Sequence, residues 1–210
     1  MLTRQYLSGT AFVAFTVLLL ILNISCSNQP QPMANTPDKG ADSSNLTAHP
    51  DRRLVIETVL GTIKIQMYEK LAPHHVEQIT KLAGMKFYDG TTFHRVIPGF
   101  MIQGGDPNSK DDDLSNDGTG GYDVKLKQEF SKVHHGRGAC SMARTNDPNS
   151  ATSQFFICVA DAGFLDNQYT LWGQVVEGMD VADKIVALKR NQNDNPGKAA
   201  TITHVTVEGD

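Results

Sequence analysis

From residue 54 to its end, the chain interrupts its apolar stretches every few residues, usually with glycine, asparagine or aspartate nearby. Short runs bounded in this way match β-strands of ordinary length. Ile63, Ile65 and Met67 alternate with Lys64 and Gln66 after the turn signal Leu60-Gly61, a period of two that marks a half-buried strand, and LVIETV precedes it. Further strands are expected at TTFHRVI, FMIQG, GACSMA, SQFFICVA, LWGQVV and ITHVTV. Two stretches keep helical spacing instead. Residues 73–82 open on Pro73 and carry Val76, Ile79 and Leu82, with Gly84 placed to end the helix. Residues 179–188 carry Val181, Ile185 and Leu188 on one face. Many short strands, glycine-rich turns and only two helices predict a mainly β domain built as a closed antiparallel barrel.

The first 51 residues lie outside that pattern. Arg4 precedes the apolar stretch AFVAFTVLLLIL at 11–22, which ends at Asn23-Ile24-Ser25-Cys26. About 12 apolar residues are few for crossing a bilayer and fit the apolar core of an export signal. A cysteine directly after a small residue resembles the processing site of bacterial lipoproteins, although Asn23 stands where leucine is usual. That resemblance implies a signal peptide at 1–25, Cys26 as the acylated first residue, and an exported chain anchored to a membrane and facing the periplasm or cell exterior. Residues 26–51 are rich in Pro, Ser, Asn, Asp and Gly, cannot bury enough surface to offset chain entropy, and read as a flexible linker. The folded domain is therefore expected at 52–210, long enough for one well-buried core.

Charge excludes one class of partner. The formal net charge is -4, and loss of 1–25 removes Arg4 and no acid, giving -5. With its basic residues scattered, such a chain is not built for nucleic acid. Cys140 and Cys158 lie in the apolar runs GACSMA and FFICVA and are expected to be reduced and buried.

One stretch combines properties that neither a core strand nor a solvated loop needs. FHRVIPGFMIQGGD, at 93–106, places Arg95 beside Val96 and Ile97, then Phe100, Met101 and Gln103. An apolar concavity with one cation at its rim is how small-ligand and catalytic pockets are composed. Together with YDGTTFHR, GTGG, SMARTNDPNSATSQFFI and FLDNQYTLWGQVVEGMDV, this stretch resembles the cyclophilin family of peptidyl-prolyl isomerases, in its small bacterial form. The resemblance runs colinearly from Leu54 to Val207. It implies an eight-stranded barrel capped by two helices, with the site on the outside of the wall, acting as a monomer on proline-containing polypeptides without a cofactor.

Carried over residue by residue, the resemblance makes Arg95 the catalytic arginine, with Gln103 holding it or the substrate carbonyl. The proline pocket falls on Phe100, Met101, Phe156 and Leu165. Contacts to the substrate backbone fall on Gln103 and on Ala143, Arg144 and Thr145, with Gln154 beside them. Phe164 stands where animal members carry tryptophan, and Tyr169 where they carry histidine, which implies weak cyclosporin binding. Arg144 and Thr145 replace a small polar pair and point to an altered preference for the residue before proline.

The remaining polar residues are expected to be structural. His74 and His75 at a helix start, with Glu77, lack a full set of metal partners and read as solvated. His94 reads as a hydrogen-bonding residue, since bond rotation transfers no proton, and His134-His135 as a solvated loop. The acidic stretch SKDDDLSNDGTGG has Val124 where a calcium loop needs glutamate, and reads as an exposed turn. No metal is expected. Two functions fit the residues: an isomerase assisting the folding of exported chains, or a binding module that grips proline segments without catalysis. Retention of Arg95 with the ring pocket favours the enzyme.

Overall fold

The computed structural model describes residues 45–209. The expected export signal, Cys26 and most of the linker lie outside the described residues. Within them, strands and helices form where periodicity places them: β1 (Arg53–Thr58), β2 (Gly61–Met67), α1 (Pro73–Gly84), β3 (Arg95–Ile97), β4 (Met101–Gly104), β5 (Ala139–Met142), β6 (Phe155–Cys158), β7 (Leu171–Glu177), α2 (Met179–Val186) and β8 (Ile202–Glu208). No helix among the described residues is long and apolar enough to cross a membrane.

The strands form one eight-stranded antiparallel sheet in the order β3-β4-β6-β5-β7-β2-β1-β8. Side chains alternate across it, so each strand divides its residues between two faces. Leu54, Ile56, Ile63, Ile65, Val96, Ile102, Cys140, Ile157 and Trp172 enter the main core. At its centre the Phe155 ring meets Tyr88, Phe93 and Trp172 edge-on, with centroids 5.7, 6.1 and 6.0 Å apart. α1 packs against β8, and α2 against β2, β3 and β4.

The barrel is curled but open, contrary to the closed barrel expected. No ladder joins the edge strands β3 and β8. β3 has only three residues, and the segment leading into β8 occupies its free side: Val96 N–H donates to Asp194 O at 2.8 Å. Just before β3, the Gly90 and Phe93 N–H groups donate to Ile202 O and Ala200 O, and a single bridge joins Thr92 to Thr201. Connector backbone, with the first residue of β8, therefore satisfies groups that a closing ladder would have used.

One local expectation is refined and two change. α1 ends on Gly84 as expected, and Lys86, with φ 56°, takes the left-handed position two residues on. Phe87 N–H then bonds Leu82 O at 2.9 Å, which closes the helix end and brings the Phe87 ring edge-on to Tyr88 and Tyr122. His75, expected in solvent, is fully buried: its Nδ1 lies 2.6 Å from Glu129, whose carboxylate also accepts the His74 and His75 N–H groups at the helix start. Finally, part of the expected linker is bonded to the domain. Thr47 Oγ1 donates to Glu69 at 2.7 Å, Lys70 N–H donates to Leu46 O at 3.0 Å, and Gln66 Nε2 donates to Thr47 Oγ1 at 3.3 Å.

Candidate active site

Strand register builds the site from the outer face. Arg95 pairs with Gln103, Gln103 with Phe156, and Phe156 with Ser141, giving one row across β3, β4, β6 and β5. Ile97, Met101 and Cys158 form the adjacent row with the same facing, while Val96, Ile102, Ile157 and Cys140 between them enter the core. A second apolar cluster results outside the sheet, containing Met101, Phe156, Cys158, Leu165 and Leu171, with Phe100, Ala143 and Tyr169 against it. Cys140 and Cys158 thus lie on opposite faces, and both are free and buried as expected. Burial pushes both thiols up, Cys158 to about 12, so neither is a thiolate at neutral pH.

A cavity of about 220 Å³ opens on this face, lined by Arg95, Phe100, Met101, Gln103, Ala143, Arg144, Phe156, Leu165 and Tyr169. Nine of the twelve residues singled out in the sequence therefore converge. The other three stand nearby in different roles. Phe164 is 64% exposed and stacks obliquely on Phe100 at the rim, centroids 5.4 Å apart. Gln154 lies behind Gln103. Thr145 is exposed, its N–H and hydroxyl both engaged with Ser150 Oγ, and does not line the cavity.

The arginine is held from one side by a chain of amides. Arg95 Nη1 is 3.5 Å from Gln103 Oε1, a long contact that leaves the guanidinium most of its donors. Gln103 Nε2 donates to Gln154 Oε1 at 2.9 Å, and Gln154 Nε2 donates to Gly118 O and Gly120 O at 3.1 and 2.7 Å. Those glycines are fixed in turn by the fully buried Asp106, whose carboxylate accepts the N–H groups of Asn108, Gly118 and Gly120. A Cβ on Gly120 would fall 2.2 Å from Asp106 Oδ1, so only glycine fits. Asp106, Gly118 and Gly120 were not singled out as site residues; the Gly-Gly-Asp and Gly-Thr-Gly-Gly stretches were the available signal.

A second support lies under the ring pocket. Contrary to expectation, His135 is fully buried. Its Nδ1 and backbone N–H both contact Asp166 Oδ1 at 2.8 Å, and its Nε2 lies 2.9 Å from Ser141 Oγ. Burial lowers the His135 pKa, keeping the ring neutral, so Nδ1 donates to the carboxylate and Nε2 accepts the Ser141 hydroxyl. His134 bridges Asp166 and Asp161, which hold its proton and raise its pKa to about 9. These contacts fix the short 3₁₀ turn Gly163–Leu165 that presents Leu165 and Phe164. His94 is buried, and burial pushes its pKa down against the opposing pull of Asp106, Asp117 and a hydrogen bond to the Thr92 backbone.

The geometry is that of an apolar ring site with two arginines, Arg95 and Arg144, and no nucleophile among its lining groups. Comparison with known proteins agrees with it. The family model described as cyclophilin type peptidyl-prolyl cis-trans isomerase/CLD matches residues 53–207. A probable peptidyl-prolyl cis-trans isomerase of Brucella suis is 42% identical over 176 residues, covering 81% of this chain and 90% of the relative. A peptidyl-prolyl cis-trans isomerase of Acinetobacter baylyi is 42% identical over 150 residues, covering 67% of this chain and 76% of its own length. Among solved structures, a cyclophilin type isomerase of Cryptosporidium parvum, crystallised in the presence of the dipeptide Ala-Pro, superposes with TM-score 0.68 at 25% identity over 75% of this chain and 99% of that one. The matching segment spans the whole sheet and the cavity on its outer face, and the chain belongs to the cyclophilin-type peptidyl-prolyl cis-trans isomerase family.

Proposed function

We infer that the protein is a peptidyl-prolyl cis-trans isomerase in which the outer-face cavity binds the proline ring and Arg95 acts on the prolyl nitrogen. The single observation that carries the residue roles is the convergence of Arg95 and Gln103 with the apolar walls Phe100, Met101, Phe156 and Leu165 around one cavity.

Rotation about Xaa-Pro is slow because amide resonance must be lost, a barrier of roughly 18–20 kcal/mol. The planar amide is the more charge-separated form, so an apolar cavity disfavours it relative to the twisted state. Once twisted, the nitrogen regains a lone pair, and an N–H of Arg95 stabilises it only then, which raises turnover rather than affinity. A roughly 10⁵-fold acceleration requires about 7 kcal/mol. One preorganised donor supplies about 3–4 kcal/mol of this. The remainder comes from gripping the ring and the flanking backbone. Gln103, tied through Gln154 to the Asp106 loop, holds Arg95 in place.

Acceleration of cis-trans exchange in an Ala-Pro peptide by the full chain tests this reading. Peptide binding with an unchanged isomerisation rate contradicts it and leaves a binding module.

The sequence of residues 1–26 supports a further part of the proposal: the protein is exported, assists exported chains in folding, and is anchored to a membrane through Cys26. Loss of detergent partitioning in Cys26→Ser tests the anchor. Phe164 and Tyr169 in place of tryptophan and histidine support weak cyclosporin binding.

A further inference from the structure

We propose that Arg144 selects substrates bearing an anionic oxygen, carboxylate or phosphate, on a residue flanking the proline. The proposal rests on the isomerase reading above and names the substrate class of that same cavity.

No carboxylate lines the cavity, yet two arginines do, Arg95 and Arg144. Elsewhere among the described residues Arg53, Arg137 and Arg190 each meet an acid, at 4.0, 2.7 and 3.0 Å. Arg144 meets only neutral oxygens: Nε and Nη2 donate to Gln168 O at 3.3 and 2.9 Å, and Nη1 donates to Thr145 O at 2.8 Å. These contacts orient the guanidinium and leave its charge uncompensated. A guanidinium has five N–H donors; three are used here, which leaves two for a ligand.

The group is also placed before any substrate arrives. Its Cζ lies 4.4 Å from the centroid of Tyr169 and 5.9 Å from that of Phe130, a stacked arrangement open to arginine and poorly matched by lysine. Tyr169 packs edge-on against Phe156, centroids 5.7 Å apart. The charge is therefore one aromatic ring away from the wall against which the proline sits, within reach of an adjacent side chain. Prior ordering reduces the entropy lost on binding. Because the whole chain carries a formal charge of -4, its long-range field disfavours acidic peptides, and any preference for them must arise locally.

The test is kcat/KM of the full chain on matched peptides with Glu, Gln, Lys or phosphoserine placed before or after proline, at low and high salt. Wild type is expected to prefer Glu over Gln by about two- to five-fold at low salt, with Lys below Gln. Salt should erase the difference. In Arg144→Gln the Glu-to-Gln ratio should fall to about one, with the urea midpoint of the same preparation as the folding control. Arg144→Lys should keep part of the ratio, since it keeps the charge. A phosphoserine peptide that exceeds Glu assigns phosphate, and one that does not assigns carboxylate; either supports the proposal. Equal wild-type rates on Glu, phosphoserine and Gln peptides overturn it while leaving the isomerase reading intact, as does an anionic preference that survives Arg144→Gln. Failure to accelerate any peptide overturns the isomerase reading itself.

Discussion

Phe155 and Phe156 follow one another in β6 and end on opposite faces of one sheet. Phe155 is surrounded by Tyr88, Phe93 and Trp172 in the main core, whereas Phe156 meets Tyr169 and lines the cavity. The same division separates Ile102 from Gln103 and Cys140 from Ser141. A pleated strand thus gives stability to one side and chemistry to the other, and a shift of one residue in register would exchange them.

The comparison is sharpest in the two phenylalanines. Phe155→Ala should cost about 3–5 kcal/mol of folding stability, read as a lower urea midpoint. Phe156→Ala should be read mainly in kcat/KM, falling about ten- to hundred-fold as an apolar wall used in both ground and twisted states is lost. Stability losses of equal size in the two variants would break the division between faces.

Ser141→Ala probes an exception on the outer row, because Ser141 satisfies His135 rather than lining the cavity. It leaves the buried Nε2 without a partner and should cost about 1–3 kcal/mol of stability. Turnover should change only a few-fold. A larger loss of turnover than of stability would place the Asp166-His135-Ser141 chain in the working site.

Charge on the histidines gives the smallest expected effect. His75, His94 and His135 are held below their ordinary value of 6.5 by burial, so below that pH the unfolded chain binds more protons and stability falls on acidification. His134 is raised to about 9, so its contribution is complete below 6.5 and is lost as pH rises through 9. Urea midpoints should therefore peak near neutrality and decline on both sides. His134→Gln should flatten the alkaline limb alone, and an unchanged alkaline limb would remove the assigned role of Asp161 and Asp166.

The sequence made the strands and the cavity walls legible because both depend on local alternation: once β3, β4 and β6 are placed, Arg95, Gln103 and Phe156 must share a face. What escaped depends on partners distant in sequence. His135 finds Asp166 across 31 residues, and His75 finds Glu129 across 54, so neither burial could be read from its neighbours. Closure failed for a related reason, since alternation does not report that the segment before β8 would take the free side of β3. At the end of α1, Gly84 marked the stop, but the left-handed position falls on Lys86, whose turn leads Phe87 to its edge-on contacts with Tyr88 and Tyr122, partners not readable from local spacing.

The central claim is that Arg95 acts on the twisted state while the apolar walls bind the ring throughout. The most direct measurement is turnover and peptide affinity of Arg95→Ala, obtained together from exchange line shapes of an Ala-Pro peptide with the full chain. Turnover should fall by about 100- to 1,000-fold, with affinity changed far less and the urea midpoint unaltered, because Arg95 lies on the outer face and is exposed. Near-normal turnover, or a loss of affinity as large as the loss of turnover, would contradict the account.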